Sequence, residues 1–360
     1  MRKYAVAVVG ATGMVGQRFV SLLRDHPWFD LKALAASPRS AGRSYREAVG
    51  GRWAFDWPMP EAAAGMTVMD AADAQAVAAG VDFIFCAVDM PKDEIRALEE
   101  KYARAETPVV SNNSAFRYTP DVPMMIPEVN PEHMAVIEAQ RKRLGTKVGF
   151  VTCKPNCSIQ GYVPALTPLR EYGVRQISVC TYQAISGAGK TFDTWPEMAD
   201  NVIPFIGGEE FKSEVEPLKI WGSVQGGEIV PAERPVISAQ CYRVAAADGH
   251  MAAVSVAFDK KPAHEEILER WRNYEGLPQR YRLPSAPERF ITYFTEDNRP
   301  QTRLDRDLYG GMGVSVGRLR EDSIFDYKFV SLSHNTLRGA AGGAVETAEL
   351  LCHEGYIPHK

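Results

Sequence analysis

The chain has 360 residues, 45% of them hydrophobic and 24% charged, enough for about two domains with sizeable cores. Its 41 Lys and Arg against 45 Asp and Glu leave a formal net charge of -4, so no basic face for nucleic acid is expected and a small molecule is the default ligand. The apolar run after Met1-Arg2-Lys3 is too short for a signal peptide, no segment reaches the roughly 20 apolar residues of a membrane helix, and six cysteines without a CxxC pair read as reduced thiols of a cytoplasmic protein with no metal site.

Taken in chain order, Tyr4–Val9 is a short β-rich run that ends at Gly10, and the pattern then switches to helical periodicity over Met14–Leu23. Residues 31–36, 81–88 and 107–111 read as further parallel strands, with a helical stretch at 91–105 between the last two. This alternation predicts an α/β, Rossmann-type doubly wound parallel sheet over residues 1–155. From 156 to 338 the strands 176–184, 236–244, 251–258 and 312–319 have few helices between them, 159–172 and 263–274, which predicts a second, mixed α+β domain. The Ala/Gly-rich stretch 339–352 is expected to be a closing helix that returns to the first domain, and the Pro- and Gly-rich stretches 37–65 and 204–235 are expected to be loops.

Gly10-Ala-Thr12-Gly13-Met14-Val15-Gly16 follows the first strand directly and opens a helix. The glycines permit a tight turn with close backbone approach, and the free N–H groups at the helix start suit a pyrophosphate. A dinucleotide site that prefers NAD usually places an acidic residue at the end of the second strand. Here that strand runs into Ser37-Pro-Arg39-Ser40, whose hydroxyls and guanidinium suit a 2′-phosphate, so NADP is the expected cofactor.

Cys157, in Lys154-Pro-Asn-Cys157-Ser158, stands just before a helical stretch whose dipole is expected to lower its pKa, while the other five cysteines read as small buried hydrophobes. A thiol that attacks a carbonyl needs an acid/base. Among seven histidines, His26, His133, His264, His353 and His359 are expected to be solvated, and His334 is open. His250 sits in a glycine-led turn between two strands, seven residues after Arg243, and taken alone it reads as structural.

Read together, GATGMVGQRF at 10–19, SNNSAFR at 111–117, KPNCSIQGY at 154–162, YQAISGAGK at 182–190, IPFIGGEEFK at 203–212, CYRVAAADGH at 241–250 and HNTLRGAAGG at 334–343 resemble the aspartate-semialdehyde dehydrogenase family, in its archaeal and fungal branch. The motifs come in the family's order and cover nearly the whole chain. The resemblance implies Cys157 as nucleophile, His250 as acid/base and Gln183 as the residue that orients the intermediate. It further implies Arg243 on the substrate carboxylate, Glu209 on its ammonium, Arg117 with Asn113 and Lys212 on inorganic or acyl phosphate, and Asn335 near the nicotinamide. Between Arg243 and His250 the family usually has a more apolar or proline-containing stretch, whereas this chain has Val-Ala-Ala-Ala-Asp-Gly with the spacing kept. A homodimer or homotetramer built through the second domain is also implied, as is a role in making lysine or diaminopimelate, threonine and methionine. Malonyl-CoA reductase and N-acetyl-glutamyl-phosphate reductase share this plan, but neither substrate carries the ammonium that Glu209 would meet. A dinucleotide sensor without chemistry would commonly lack the nucleophile.

Overall fold

The computed structural model describes residues 2–360. Its first sheet is built from β1 (Tyr4–Val9), β2 (Phe29–Ala36), β3 (Val68–Asp70), β4 (Phe83–Cys86), β5 (Val109–Ser111) and β6 (Val151–Cys153). All pairings are parallel, in the order β3-β2-β1-β4-β5-β6. Such strands are covered on both faces, so β4 reads Phe-Ile-Phe-Cys without alternation and is fully buried. The strand order reverses between β1 and β4, which opens a crevice at their C-terminal ends, beside Gly10.

The second sheet has seven strands: β7 (Val174–Gln183), β8 (Val202–Ile203), β11 (Val236–Val244), β12 (His250–Phe258), β13 (Ile291–Phe294), β14 (Val314–Glu321) and β15 (Tyr327–Ser333). A separate hairpin pairs β9 (Ser223–Gln225) with β10 (Glu228–Val230). The large sheet is mixed, with parallel pairs β7/β11 and β13/β14. Along β7 the side chains alternate, Ile177, Val179, Thr181 and Gln183 inward and Gln176, Ser178 and Tyr182 outward, as a sheet with one packed face requires.

Several expectations change, and the stretch 37–65, expected to be a loop, holds the short helices Tyr45–Val49 and Glu61–Ala64. Residues 157–172 form a 3-10 turn (Cys157–Gln160), a short α-helix (Tyr162–Leu166) and a second 3-10 turn (Thr167–Tyr172), because Pro164 and Pro168 lack the N–H groups a continuous ladder needs. The stretch 204–235 holds a twelve-residue helix, Glu209–Ile220, besides the β9/β10 hairpin. His26 and His133 are buried, the first on Glu349 and the second between Asn130 and the Gly222 carbonyl.

The helix Ala341–His353 is buried along nearly its whole length and packs on the helix Met14–Leu23 and on β5, where Ala344, Val345, Ala348 and Leu351 share one core with Val6, Phe19, Phe83 and Phe85. Among the described residues no helix is long and apolar enough to cross a membrane.

Candidate active site

Sheet register builds the site. Arg243 on β11 lies opposite Gln183 on β7, and Tyr182 lies opposite Met251 on β12, so Gln183, Arg243 and His250 come to one end of three neighbouring strands. The turn after β6 brings Cys157 to the same place, its Sγ 3.4 Å from His250 Nε2. Asn156 caps that turn, its Oδ1 accepting from the Ser158 amide at 2.8 Å. Two glycines leave room around the pair. A Cβ on Gly187 would lie 3.0 Å from His250 Nε2, and one on Gly339 would lie 2.8 Å from Cys157 Cβ.

The other ring nitrogen of His250, Nδ1, accepts from the Ala184 amide at 3.1 Å. An amide N–H can only donate, so the neutral ring carries its proton on Nε2 and points it at the thiol. Burial, reinforced by Arg243 and His334, holds the imidazole pKa down at about 3, so the ring is uncharged at neutral pH. The thiol departs from expectation. Burial and then the Glu209 carboxylate push Cys157 up to about 12, against the pull of Arg117, Arg243 and Lys212. A single 3-10 turn supplies too little aligned dipole to reverse this.

Around the pair lie the ionic groups. Glu209 opens the helix Glu209–Ile220 and accepts from Lys212 Nζ (2.7 Å), Asn156 Nδ2 (3.0 Å) and Gln183 Nε2 (3.2 Å). Arg243, 6% exposed, donates to the Ala184 carbonyl at 2.8 Å and pairs with no carboxylate among the described residues. Arg117 is buried, with Nη1 2.9 Å from Glu216 and Nε 2.8 Å from the Lys154 carbonyl. Asn113 stands apart from this group, its amide donating to buried Glu99 at 2.8 Å.

At the crevice, Gly10 takes φ +86°, and a Cβ there would lie 2.2 Å from the Ala87 carbonyl, while one on Gly16 would lie 2.2 Å from the Gly10 carbonyl. Thr12, Gly13, Met14 and Val15 carry the turn into the helix Met14–Leu23, and Gly13 caps it without a side-chain bond, so the first amides face outward. This cradle fits a pyrophosphate. Ser37 and Arg39 are exposed just past β2, and the Ser40 amide closes their turn on the Ser37 carbonyl at 2.8 Å. A cleft of about 770 Å³ leads from the turn, past Trp53 and Phe55, to Ser186 and Lys190 on the catalytic side.

Comparisons with known proteins agree with this geometry. Residues 5–137 match the semialdehyde dehydrogenase NAD binding domain and residues 166–338 match the semialdehyde dehydrogenase dimerisation domain. The aspartate-semialdehyde dehydrogenase of Methanothermobacter thermautotrophicus is 46% identical over 351 residues, 96% of this chain and 98% of that protein. The chain belongs to the aspartate-semialdehyde dehydrogenase family. The aspartate-semialdehyde dehydrogenase of Archaeoglobus fulgidus is 44% identical, covering 99% of this chain and all of that one. The solved structure of the Candida albicans family member with NADP superposes with a TM-score of 0.89 at 39% identity, over 99% of this chain and 100% of the other.

Within this family member, several residues of the site carried no signal of their own in the sequence. Asn156 joins the nucleophile turn to Glu209 through its side chain and to Glu216 through its amide, which donates at 2.6 Å. Glu216 thereby holds Arg117 and the Cys157 turn together, about two helical turns beyond Glu209 on the same face. A polar residue directly before a nucleophile is the pattern that marks Asn156. Nothing comparable marks Glu216.

Proposed function

We propose that this chain catalyses the reversible, NADPH-dependent reductive dephosphorylation of L-aspartyl 4-phosphate to L-aspartate 4-semialdehyde. The observation that carries this reading is the 3.4 Å approach of Cys157 Sγ to His250 Nε2 inside a ring of Glu209, Lys212, Arg243 and Arg117, in a chain of this family. The substrate has one carboxylate, one ammonium and one phosphate. Arg243, with no carboxylate partner among the described residues, suits the first, Glu209 the second, and Lys212 with Arg117 the third. Asn113 joins the phosphate group only by releasing Glu99.

In this mechanism the ammonium meets Glu209 and removes the charge that most opposes ionisation of the thiol after burial itself. The Cys157 sulfur then attacks the acyl carbon. A C–S bond forms, the bond from the acyl carbon to the phosphoryl oxygen breaks, and phosphate leaves with both electrons and takes up the thiol's proton, giving a thioester. Gln183 orients this intermediate, and the Nε2–H of His250 supports negative charge on sulfur or on the carbonyl oxygen. Proton transfer by His250 as acid/base requires the ring to release the Ala184 amide, because Nδ1 is occupied and Nε2 already carries a proton. Bound NADPH supplies the hydride that reduces the thioester. Its pyrophosphate would rest on Gly10, Thr12, Gly13, Met14, Val15 and Gly16, its 2′-phosphate on Ser37, Arg39 and Ser40, and its nicotinamide near Asn335. Collapse of the hemithioacetal then breaks the C–S bond, releases the aldehyde and returns the sulfur for the next turnover. The strand-rich second domain supports a homodimer or homotetramer, in a cytoplasmic pathway to lysine, threonine and methionine.

The test is NADP+ reduction by aspartate 4-semialdehyde with and without phosphate, beside a malonyl-CoA and NADPH assay. Phosphate-dependent turnover that disappears in Cys157→Ala, with NADP binding kept, is expected. Activity with malonyl-CoA alone, or substantial turnover in Cys157→Ala, would overturn the reading.

A further inference from the structure

Between Arg243 and His250 the chain runs through Val-Ala-Ala-Ala-Asp-Gly, a segment with no bulky side chain or proline to stiffen it. Its last residue, Gly249, takes φ +94° and delivers His250 to the thiol. The rigidity has to come from outside the segment. The Ile185 and Ser186 amides donate to the Ala246 and Ala247 carbonyls at 2.9 and 3.2 Å, which ties the segment to the turn Ile185–Ala188. Both pieces are then fastened by one side chain. Asn335, 2% exposed, accepts from the Gly249 amide through Oδ1 at 2.8 Å and donates to Ser186 Oγ through Nδ2 at 2.8 Å.

We propose, on the assignment of Cys157 and His250 given above, that Asn335 is a positioning residue for His250: it pins both the turn that delivers the imidazole and the turn that covers it. Ser186 is followed by Gly187, whose Cβ position lies 3.0 Å from His250 Nε2 and 2.9 Å from Arg243 Nη1, so any slip of the covering turn reaches the imidazole and the guanidinium at once. Asn335 is itself well anchored. It follows β15, whose Ser333 lies opposite His250, and its neighbour Thr336 accepts from Arg18 Nη2 at 3.1 Å, a residue of the helix that starts at the phosphate-binding turn. Its own carbonyl abuts Gly339, which backs Cys157. One amide group thus fixes the imidazole relative to the sulfur, where a misplacement of about 1 Å costs on the order of a hundredfold in rate.

Asn335→Ala is expected to lower kcat about tenfold to a hundredfold, whatever change in KM for NADP accompanies it. Alkylation of Cys157 by iodoacetamide in the cofactor-free enzyme is expected to slow about threefold or more, because the Nε2–H bond that favours thiolate is lost. Asn335→Asp keeps an acceptor for Gly249 and can accept from the Ser186 hydroxyl, so it should recover most of both losses. Ser186→Ala cuts one pin and should lie between wild type and Asn335→Ala. A rise in KM for NADP with unchanged thiol reactivity would overturn the proposal and make Asn335 a cofactor ligand only. If Asn335→Ala does not fold, Ser186→Ala and Asn335→Asp decide: wild-type thiol reactivity in the first, or no better reactivity than Ser186→Ala in the second, would also overturn it. The alkylation assay uses no substrate, so a wild-type enzyme that fails the phosphate-dependent assay would overturn the proposed function while the role of Asn335 is still decided.

Discussion

Two clusters of charge flank the Cys157 turn, and they are built on opposite principles. Behind it, Arg338 is fully buried and uses four of its five N–H groups: Nη1 and Nη2 grip Glu128 at 2.9 and 2.8 Å, Nη1 also reaches Glu346 at 2.6 Å, and Nε donates to the Met312 carbonyl at 2.8 Å. Lys154 completes that cluster, its Nζ on Gln160 at 3.2 Å and its pKa drawn down to about 7 by burial and by Arg338. In front of the turn, Arg243 has no carboxylate partner among the described residues, and Lys212, paired with Glu209, keeps a quarter of its side chain in solvent. A closed cluster holds segments together and has little left to offer a ligand. An open one keeps charge available, and it sits where the substrate must bind.

Breaking the rear cluster should cost fold rather than chemistry. Arg338→Met leaves Glu128 and Glu346 buried without their cation, and a loss of about 3–5 kcal/mol of stability is expected by thermal or denaturant unfolding. The thiol of the protein that remains folded should keep its pH profile. A changed profile would mean that the two clusters act as one.

Breaking the front cluster should do the reverse. Glu209→Gln removes the charge that, after burial, most strongly raises the Cys157 pKa. Alkylation of the free enzyme is therefore expected to speed up severalfold, while kcat/KM for the semialdehyde falls about a hundredfold with the loss of the ammonium partner. Stability should fall less than in Arg338→Met, since a glutamine can still accept from Asn156 and Gln183 and Lys212 can turn to water. Slower alkylation would contradict the electrostatic account of the thiol.

One further effect needs no mutation. With Cys157 near 12, alkylation in the free enzyme should rise about tenfold per pH unit from pH 7 to 10 without a plateau. With His250 held at about 3 the curve should show no inflection near the ordinary histidine value of 6.5. A plateau below pH 9 would show that the resting thiol is already activated.

The same contrast governs what the sequence reveals. The first strand, turn and helix are legible because parallel strands are unbroken apolar runs and because Gly10 and Gly16 occupy positions where a Cβ would strike backbone. β3 has three residues, too few for a period to emerge. The helix Glu209–Ile220 is hidden for a chemical reason. Its buried face carries Glu209, Ser213, Glu216 and Lys219, so it shows no apolar stripe although it is helical and inward-facing. Lys219 alone donates to the carbonyls of Arg117, Thr119 and Val122 at 2.8, 2.7 and 2.9 Å. Cys157 and His250 could be named from their motifs, but the identity of the proton on His250 depends on the Ala184 amide, which only the packing of β7 against β12 brings into place.

The helix Ala341–His353 also sets an order of events. Synthesis proceeds from the N-terminus, so the first sheet is made long before the helix that completes its core with Val6, Phe19, Phe83 and Phe85. Until then a large apolar face waits uncovered, and it is the second domain that must emerge and fold in the interval. When the late helix docks, Gly343 settles against Lys154 and Gly339 against Cys157. A helix made after both sheets thus closes the back of the nucleophile's turn, and a ribosome-bound chain stopped short of it would present a thiol but no finished site.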